Sequence, residues 1–238
     1  MAALSKTKID RLGDRLKRGS PSDDDLRLLD EHRRSFSPAY DSVIGTIREK
    51  LHLDPTGRPA KSTSSIAEKL RRESIRLSQV QDIAGCRVIV TEIIAQDNTI
   101  ATLRETFSDI RVMDRRLNPS HGYRAVHVIV TTEGGSVEIQ IRTSLQHFWA
   151  ELSERLADVV DSSIKYGGGD TDIREPLSAA SESIVILEDL ERKYGVDSAR
   201  SGAQSATWLA LHQLVMSLKT LLTANFRDVL SKFEKSQG

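Results

Sequence analysis

Residues 1–53 carry apolar positions at helical spacing among charged neighbours. The positions that define this repeat are Leu26, Leu29, Val43, Ile44, Ile47 and Leu51, and a repeat of three to four residues is typical of an amphipathic helix. Ser22 followed by three aspartates indicates a helix start, because acidic side chains stabilise the first turn of a helix. Pro38 interrupts the repeat, so the pattern predicts two helices that form an N-terminal helical extension.

The centre of the chain has the pattern of β-strands. Four segments are rich in β-branched residues, namely 85–90, 110–114, 123–132 and 136–143, and such segments predict strands. Residues 133–135, Glu-Gly-Gly, suit a hairpin turn between the last two. In the last segment apolar residues alternate with Glu138, Gln140 and Arg142. One face of this strand is therefore predicted to be apolar, and the other to carry a carboxylate, an amide and a guanidinium.

Helices are predicted around these strands. They cover 65–76, 93–107, 144–160, 174–195 and 204–235, with a loop at 54–65 and a glycine-rich break at 167–169. Together the elements predict an α+β fold, in which a mixed sheet is flanked by helices and helical extensions lie at both ends. The expected division is the extension at 1–53, a core at 54–170 and a C-terminal helical extension at 171–238 that packs on the core.

Composition excludes several classes of protein and site. Lys plus Arg and Asp plus Glu both number 34, so the whole surface has no general affinity for nucleic acid. The single cysteine, Cys86, excludes an intrachain disulfide and a cysteine-rich metal site, and its apolar surroundings predict a buried thiol. Because no apolar segment is long enough to span a membrane and the first twenty residues lack a secretory signal, we expect a cytoplasmic protein without membrane contact.

A first group of candidate residues combines cations and hydroxyls around the start of a predicted helix. Its members are Arg58, Lys61, Ser62, Ser65, Lys69, Arg71 and Arg72. At helical spacing Ser65, Lys69 and Arg72 share one face. A helix N-terminus beside hydroxyls and cations is suited to binding an anion. A solvated basic face explains the same spacing, so the pattern alone leaves both interpretations open.

Two carboxylates stand out in the predicted strands. Asp82 precedes an apolar strand and Glu138 lies on the polar face of the last strand. Carboxylate oxygens are hard ligands of the kind that Mg²⁺ takes, and a positioned glutamate can also act as a general base. A turn or capping role explains Asp82 equally well when it is considered alone.

A third group lies at residues 121–127, where His121, Gly122 and Tyr123 are followed by Arg124 and His127. The glycine allows close approach of the backbone to a ligand, and the tyrosine ring offers a face for stacking on a base. His127 shares a strand face with Tyr123 only if the strand is regular. A core tyrosine with charged neighbours is the alternative interpretation.

The order of these motifs is more specific than any one of them. KSTSSIAEKLRR is followed by DIAGCR, PSHGYRAVH, VEIQIRT and QHFWAE. This series resembles the synthetase domain of the RelA/SpoT family and its solitary form, the small alarmone synthetases. The resemblance covers about residues 58–151.

The resemblance implies a nucleotidyltransferase-like mixed sheet and a defined reaction. Family members transfer the β,γ-pyrophosphate of ATP to a ribose 3′-hydroxyl, usually of GDP or GTP, with Mg²⁺. The residues that match ATP-binding positions are Arg58, Lys61, Ser65, Lys69, Arg72 and Arg87. Asp82 and Glu138 match the metal and catalytic positions, and Glu138 is also placed to activate the 3′-hydroxyl. The residues on the acceptor side are His121, Tyr123, His127, Gln140 and Arg142, with Tyr123 stacking on the base.

The sequence departs from the family pattern at three places, and the last two lie near the expected acceptor side and leave the acceptor open. Pro59 stands two residues before Lys61, where the family has arginine, and the nearest arginine is Arg58. His121 replaces the usual asparagine before Gly-Tyr, and Ser153-Glu154 replaces the usual Glu-His. The segments PSHGYRAVH and IKYGGG are similar to those of a toxic branch of the small synthetases. Some members of that branch modify the 3′ end of tRNA, and others modify adenine nucleotides. A basic patch for a tRNA end would comprise Arg71, Arg72, Arg76, Arg115 and Arg116, and a solvated surface explains these residues equally well.

Two further expectations concern the rest of the chain. No His-Asp dipeptide occurs, and the hydrolase domain of the larger family members carries that motif, so synthesis without hydrolysis is predicted. The C-terminal helices are expected to pack on the core, and part of their apolar surface is an alternative site for a second copy or a neutralising antitoxin. A catalytically silent nucleotide-binding scaffold is the alternative from a different functional class.

Overall fold

The computed structural model describes residues 4–194 and 206–236, which form helices around a five-stranded sheet. The α-helices are α1 Lys6–Arg18, α2 Asp23–Arg34, α3 Ser37–Thr46, α4 Thr63–Glu73, α5 Ile93–Thr106, α6 Ser144–Val159, α7 Thr171–Tyr194 and α8 Ala206–Ser236. The strands are β1 Thr56–Arg58, β2 Ala84–Val90, β3 Ile110–Asp114, β4 Val126–Thr132 and β5 Gly135–Thr143. A π-helix at Ile47–Leu51 and 3₁₀ turns at Leu77–Gln79 and Ser162–Tyr166 complete the described elements.

The second helix begins where the sequence predicts, but the described part of residues 1–53 holds three α-helices and not the two expected. Ser22 caps α2, since its hydroxyl accepts from the Asp25 N–H and the Asp25 carboxylate accepts from the Ser22 N–H, both at 3.2 Å. This reciprocal pair is a capping box. The Asp25 carboxylate also accepts a 2.7 Å hydrogen bond from Arg15 of α1, which joins the first two helices. Pro38 lies in the first turn of α3, so it starts a helix instead of breaking one.

The sheet has the strand order β1-β2-β5-β4-β3. β1 pairs antiparallel with β2, with Thr56 opposite Arg87 and Gly57 opposite Cys86. The prediction of a loop throughout 54–65 was wrong at this strand. The two strands approach so closely that a Cβ on Gly57 would lie 2.5 Å from the Gly85 carbonyl oxygen, so only glycine fits there.

The chain divides into two units with separate hydrophobic cores. The first unit comprises residues 1–88, 102–112 and 127–140, and the second comprises 89–101, 113–126 and 141–238, as far as these are described. The fully buried side chains of the first core include Leu12, Leu16, Leu29, Ile66, Leu70 and Leu77. The second core joins α6, α7 and α8 through Leu145, Trp149, Ile184, Leu187, Val215 and Phe226. The domain limits expected after residues 53 and 170 stay a prediction.

The sequence also led us to expect a buried cysteine and no membrane-spanning helix. Cys86 is buried, and burial, with a further contribution from the charge of Glu138, raises the pKa of its thiol to about 12, so the thiol stays neutral. Within the described ranges, every helix is too short or too polar to cross a membrane. The predicted helix ends at 195 and 204 lie outside the described residues.

Candidate active site

Two lysines converge on Asp82 in the first unit. Lys61 Nζ donates to Asp82 Oδ2 at 2.6 Å, and Lys69 Nζ lies 3.0 Å from Oδ1. The aspartate side chain is only 12% exposed. Burial alone would raise the pKa of Asp82, but the charges and hydrogen bonds of the two lysines outweigh it and the pKa is lowered. Asp82 is therefore an ionised carboxylate at neutral pH.

The start of α4 and the residues just before it position Lys61 and Lys69 beside Asp82. Ser62 is the N-cap, and its hydroxyl accepts from the Ser65 N–H at 3.3 Å and donates to the Ser65 hydroxyl at 2.7 Å. The Lys61 N–H donates to the Ile83 carbonyl at 2.7 Å, which fixes the preceding loop beside Asp82. Lys69 reaches the same carboxylate from the helix, two turns beyond Lys61.

The other predicted ATP-binding residues lie along the same elements. Arg72 is 40% exposed and donates to Glu73 at 2.9 Å. Lys69 lies 3.8 Å from the same glutamate, a partner that sequence reasoning missed although the four-residue spacing indicates it. Arg87 is half-buried on β2. The backbone of Arg58 ends β1, and its side chain is outside the described part of the molecule.

Glu138 lies on β5 between two hydrogen-bond donors. Its Oε1 is 2.8 Å from His127 Nδ1, and its Oε2 accepts from Gln140 Nε2 at 2.9 Å. Burial raises the pKa of Glu138, but the hydrogen bonds of His127 and Gln140 outweigh burial and the pKa is lowered. An ionised carboxylate only accepts hydrogen bonds, so His127 Nδ1 carries the proton in this contact.

Asp82 and Glu138 belong to one electrostatic cluster. The negative charge of Asp82 contributes to raising the pKa of Glu138, so the two carboxylates interact electrostatically. Gly85, three residues after Asp82, lies against β5, where an added Cβ would be 3.1 Å from the Glu138 carbonyl oxygen. The close approach of the two strands at this glycine brings the carboxylates into the same region of the first unit.

The carboxylates of Asp82 and Glu138 suit a divalent cation that is bound jointly by the protein and by a phosphate ligand. The described residues contain no group of three or more His, Cys, Asp or Glu that could hold a metal ion. Mg²⁺ is commonly bound by one or two carboxylates together with waters and substrate phosphates. Two ionised carboxylates therefore suit a metal that arrives with a phosphate ligand, and not an ion held by protein groups alone.

Tyr123 and Arg142 form a second cluster, which lies in the second unit. Arg142 Nη2 donates to the Tyr123 hydroxyl at 3.0 Å, and the guanidinium carbon lies 5.1 Å from the centre of the ring. Arg142 is only 3% exposed. The buried guanidinium holds the tyrosine by its hydroxyl and by a cation–π contact, so the ring is fixed in orientation.

A tight turn precedes this tyrosine. The Tyr123 N–H donates to the Ser120 carbonyl at 3.0 Å, and the two central residues, His121 and Gly122, have φ of 52° and 87°. Two successive left-handed residues are the pattern of a type I′ turn. The strand predicted at 123–132 therefore begins only at Val126, and Tyr123 and His127 do not share a regular strand.

The turn is packed on three sides. A Cβ on Gly122 would lie 2.7 Å from the Trp149 ring, and the Gly122 carbonyl accepts from the Ser181 hydroxyl at 2.7 Å. The His121 ring occupies the place where Gly167 would carry a side chain. The glycine-rich break predicted at 167–169 thus follows the 3₁₀ turn Ser162–Tyr166, and its first glycine packs against the His121 ring.

Comparisons with known proteins agree with the motif order. A family model for a region found in RelA / SpoT proteins matches residues 57–158. An uncharacterised protein of Mycobacterium tuberculosis is 34% identical over 214 residues, which cover 86% of this chain and 76% of that protein. The GTP pyrophosphokinase YjbM of Bacillus subtilis is 33% identical over 150 residues, covering 56% of this chain and 67% of that protein.

A solved structure shares the fold. The small alarmone synthetase 1 from Bacillus subtilis, bound to its product pppGpp, superposes with a TM-score of 0.52 at 26% identity, covering 71% of this chain and 94% of that one. The predicted α+β fold, a mixed sheet flanked by helices with helices at both ends, is confirmed. The chain belongs to the RelA/SpoT family of pyrophosphokinases.

Proposed function

We propose that this enzyme transfers the β,γ-pyrophosphate of ATP to the ribose 3′-hydroxyl of GDP or GTP, with Mg²⁺ as the cofactor, and so produces (p)ppGpp. The observation that carries the proposal is that Asp82 is ionised between Lys61 and Lys69, with the buried, ionised Glu138 in the same electrostatic cluster. Phosphoryl-transfer enzymes depend on positioning and on charge neutralisation around the phosphates, and this cluster supplies both.

The charges around Asp82 suit a triphosphate. Lys61, Lys69 and Arg72 carry three positive charges against the two negative charges of Asp82 and Glu73, so this group has a net charge of +1. The proposal is that both lysines turn to the phosphates of ATP, while Asp82 becomes a ligand of the metal. A bound divalent ion would neutralise phosphate charge and orient the pyrophosphate for in-line attack. Ser65 and Arg72 on α4, with Arg58 and Arg87 on the neighbouring strands, complete the proposed ATP site.

Glu138 is proposed as the general base. Its carboxylate takes the proton of the 3′-hydroxyl as that oxygen bonds to the β-phosphorus. The bond from the β-phosphorus to the oxygen that bridges the α-phosphate then breaks, and AMP leaves with that oxygen. A base with a lowered pKa is ionised at neutral pH, and the two donors on its oxygens hold it in one orientation.

His127 is expected to set the acid side of the pH profile. Replacing His127 with alanine removes a hydrogen bond that lowers the pKa of Glu138, so burial raises that pKa. Because the base must be deprotonated, kcat falls as the pH drops through the folded-state pKa, and this limb should move to higher pH in His127→Ala. His127→Gln, which keeps a donor, should shift the limb less. Superimposable kcat–pH profiles for wild type and His127→Ala would show that His127 does not control the pKa of Glu138.

Tyr123 is proposed to stack on the acceptor base. Tyr123→Ala should raise the KM for the acceptor by about tenfold, since stacking contributes roughly 1–3 kcal/mol per base, and leave the KM for ATP unchanged. Tyr123→Phe is the matched control, because it keeps the ring and removes the hydroxyl that accepts from Arg142. An acceptor KM that is unaffected by Tyr123→Ala would exclude the stacking role.

One labelling experiment tests the function and identifies the acceptor. Purified protein is incubated with Mg²⁺ and ATP labelled on the γ-phosphate, together with GDP, GTP, AMP, ADP or deacylated tRNA in separate reactions. Label on GDP or GTP supports the proposal. Label on tRNA or an adenine nucleotide alone would keep the chemistry and replace the acceptor, and label on none of them would favour a silent nucleotide-binding scaffold.

A further inference from the structure

The first turn of α4 combines the hydroxyls of Thr63, Ser64 and Ser65 with a neighbouring cation. It contains no acidic residue, and Lys61 immediately precedes the cap at Ser62. The N-terminus of a helix carries a partial positive charge, so proteins commonly place acidic side chains there. A helix start that combines hydroxyls with cations is arranged to receive an anion from outside.

Arg33 of α2 adds a guanidinium to this turn. Its Nη2 donates to the hydroxyl of Thr63, the first residue of α4, at 2.8 Å, and its Nη1 donates to Asp30 at 2.8 Å. The side chain is 14% exposed, and its Nε is buried without a hydrogen-bond partner. Two contacts on separate nitrogens fix the plane of the guanidinium, which makes Arg33 a rigid support for the turn.

We propose that Arg33 is a positioning residue for the donor nucleotide. It holds Thr63 so that the N–H groups of the first turn of α4, and Lys61 before them, keep the geometry that receives the ATP phosphates. The inference rests on the proposed ATP site and extends it to α2, in the N-terminal part of the chain. Asp30 offsets the charge of Arg33, so the guanidinium acts on the turn through its hydrogen bond to Thr63 and not through its net charge.

The test measures nucleotide binding separately from turnover. Binding of a non-hydrolysable ATP analogue is measured by calorimetry, and KM is measured for ATP and for the acceptor. Arg33→Ala should weaken binding of the analogue by about tenfold, the size expected for a hydrogen bond from a charged group, with an unchanged acceptor KM. Arg33→Lys should behave like Arg33→Ala, because lysine lacks the rigid planar fork that holds Thr63 and Asp30 in a fixed relative geometry.

Two further variants supply the controls. Thr63→Val keeps the shape of the side chain and removes the acceptor, so it should weaken binding equally, and the double variant should lose no more than either single variant. Arg34→Ala removes an exposed neighbour that donates to the Asp30 carbonyl and should bind the analogue like wild type. Thr63→Val also keeps the inference testable if Arg33→Ala fails to fold.

The outcomes separate this inference from the proposed function. Equal increases in both KM values, or a lower Tm with unchanged analogue binding, would make Arg33 a packing residue and overturn the inference. A wild-type protein that binds the analogue but transfers no label would overturn the proposed function alone, and the inference would still be supported if Arg33→Ala weakened that binding.

Discussion

Replacing Glu138 with glutamine is expected to lower kcat by roughly 10²- to 10⁴-fold, the contribution of a positioned general base. Glutamine has nearly the same shape and can still accept a hydrogen bond from His127, but it cannot take a proton from the 3′-hydroxyl. The measurement is transfer of labelled pyrophosphate from ATP, and a thermal melt of the variant checks that the fold is retained.

The matched control for this variant is Glu133→Gln. Glu133 is exposed in the hairpin turn between β4 and β5, so the same substitution there tests the change of charge without the base. It should turn over like wild type. If Glu138→Gln retained a kcat within about threefold of wild type, far less than removal of a general base costs, Glu138 could not be the base.

The second large effect is expected at Asp82. Asp82→Asn should lower kcat by about 100-fold or more, because metal ions contribute several kcal/mol of charge stabilisation in the transition state. The variant should also require more Mg²⁺ for half-maximal rate. Since the amide no longer attracts Lys61 and Lys69 strongly, the lysines are freed, and binding of a non-hydrolysable ATP analogue in the presence of EDTA should be unchanged or tighter.

This combination distinguishes a metal ligand from a structural aspartate. Asp54→Asn is the control, because Asp54 is an exposed partner of Arg48, and it should have the Mg²⁺ dependence of wild type. A wild-type Mg²⁺ dependence in Asp82→Asn would reject the proposed metal site. Weaker binding of the analogue in EDTA would instead mean that Asp82 serves to hold the lysines in place.

Much of the fold was predictable because long elements repeat a pattern. The strand expected at 110–114 is observed with the same limits, and the helix expected at 93–107 ends one residue earlier. β1 was missed because three residues, one of them a glycine, are too short to show alternation. The strand expected to begin at Tyr123 begins at Val126, because the left-handed residues before Tyr123 form a turn.

The polar residues of the candidate site were recognisable in the sequence, but their contacts with one another were not. Alternation along β5 placed Glu138 on the polar face, yet its contact with His127 depends on the register between β4 and β5, which no single-strand pattern contains. Lys61 meets Asp82 across 21 residues of sequence. Arg33 was missed altogether, because its contact with Thr63 depends on how α2 packs beside α4.

The packing of His121 against Gly167 limits how the enzyme can be redesigned. Gly167 has φ of 78° and no room for a Cβ while the imidazole is present. A smaller residue at 121 would open that space, whereas a larger one would meet the backbone of the glycine turn. Libraries that vary position 121 should therefore keep Gly167 fixed, because its positive φ strains other residues even when the space is opened.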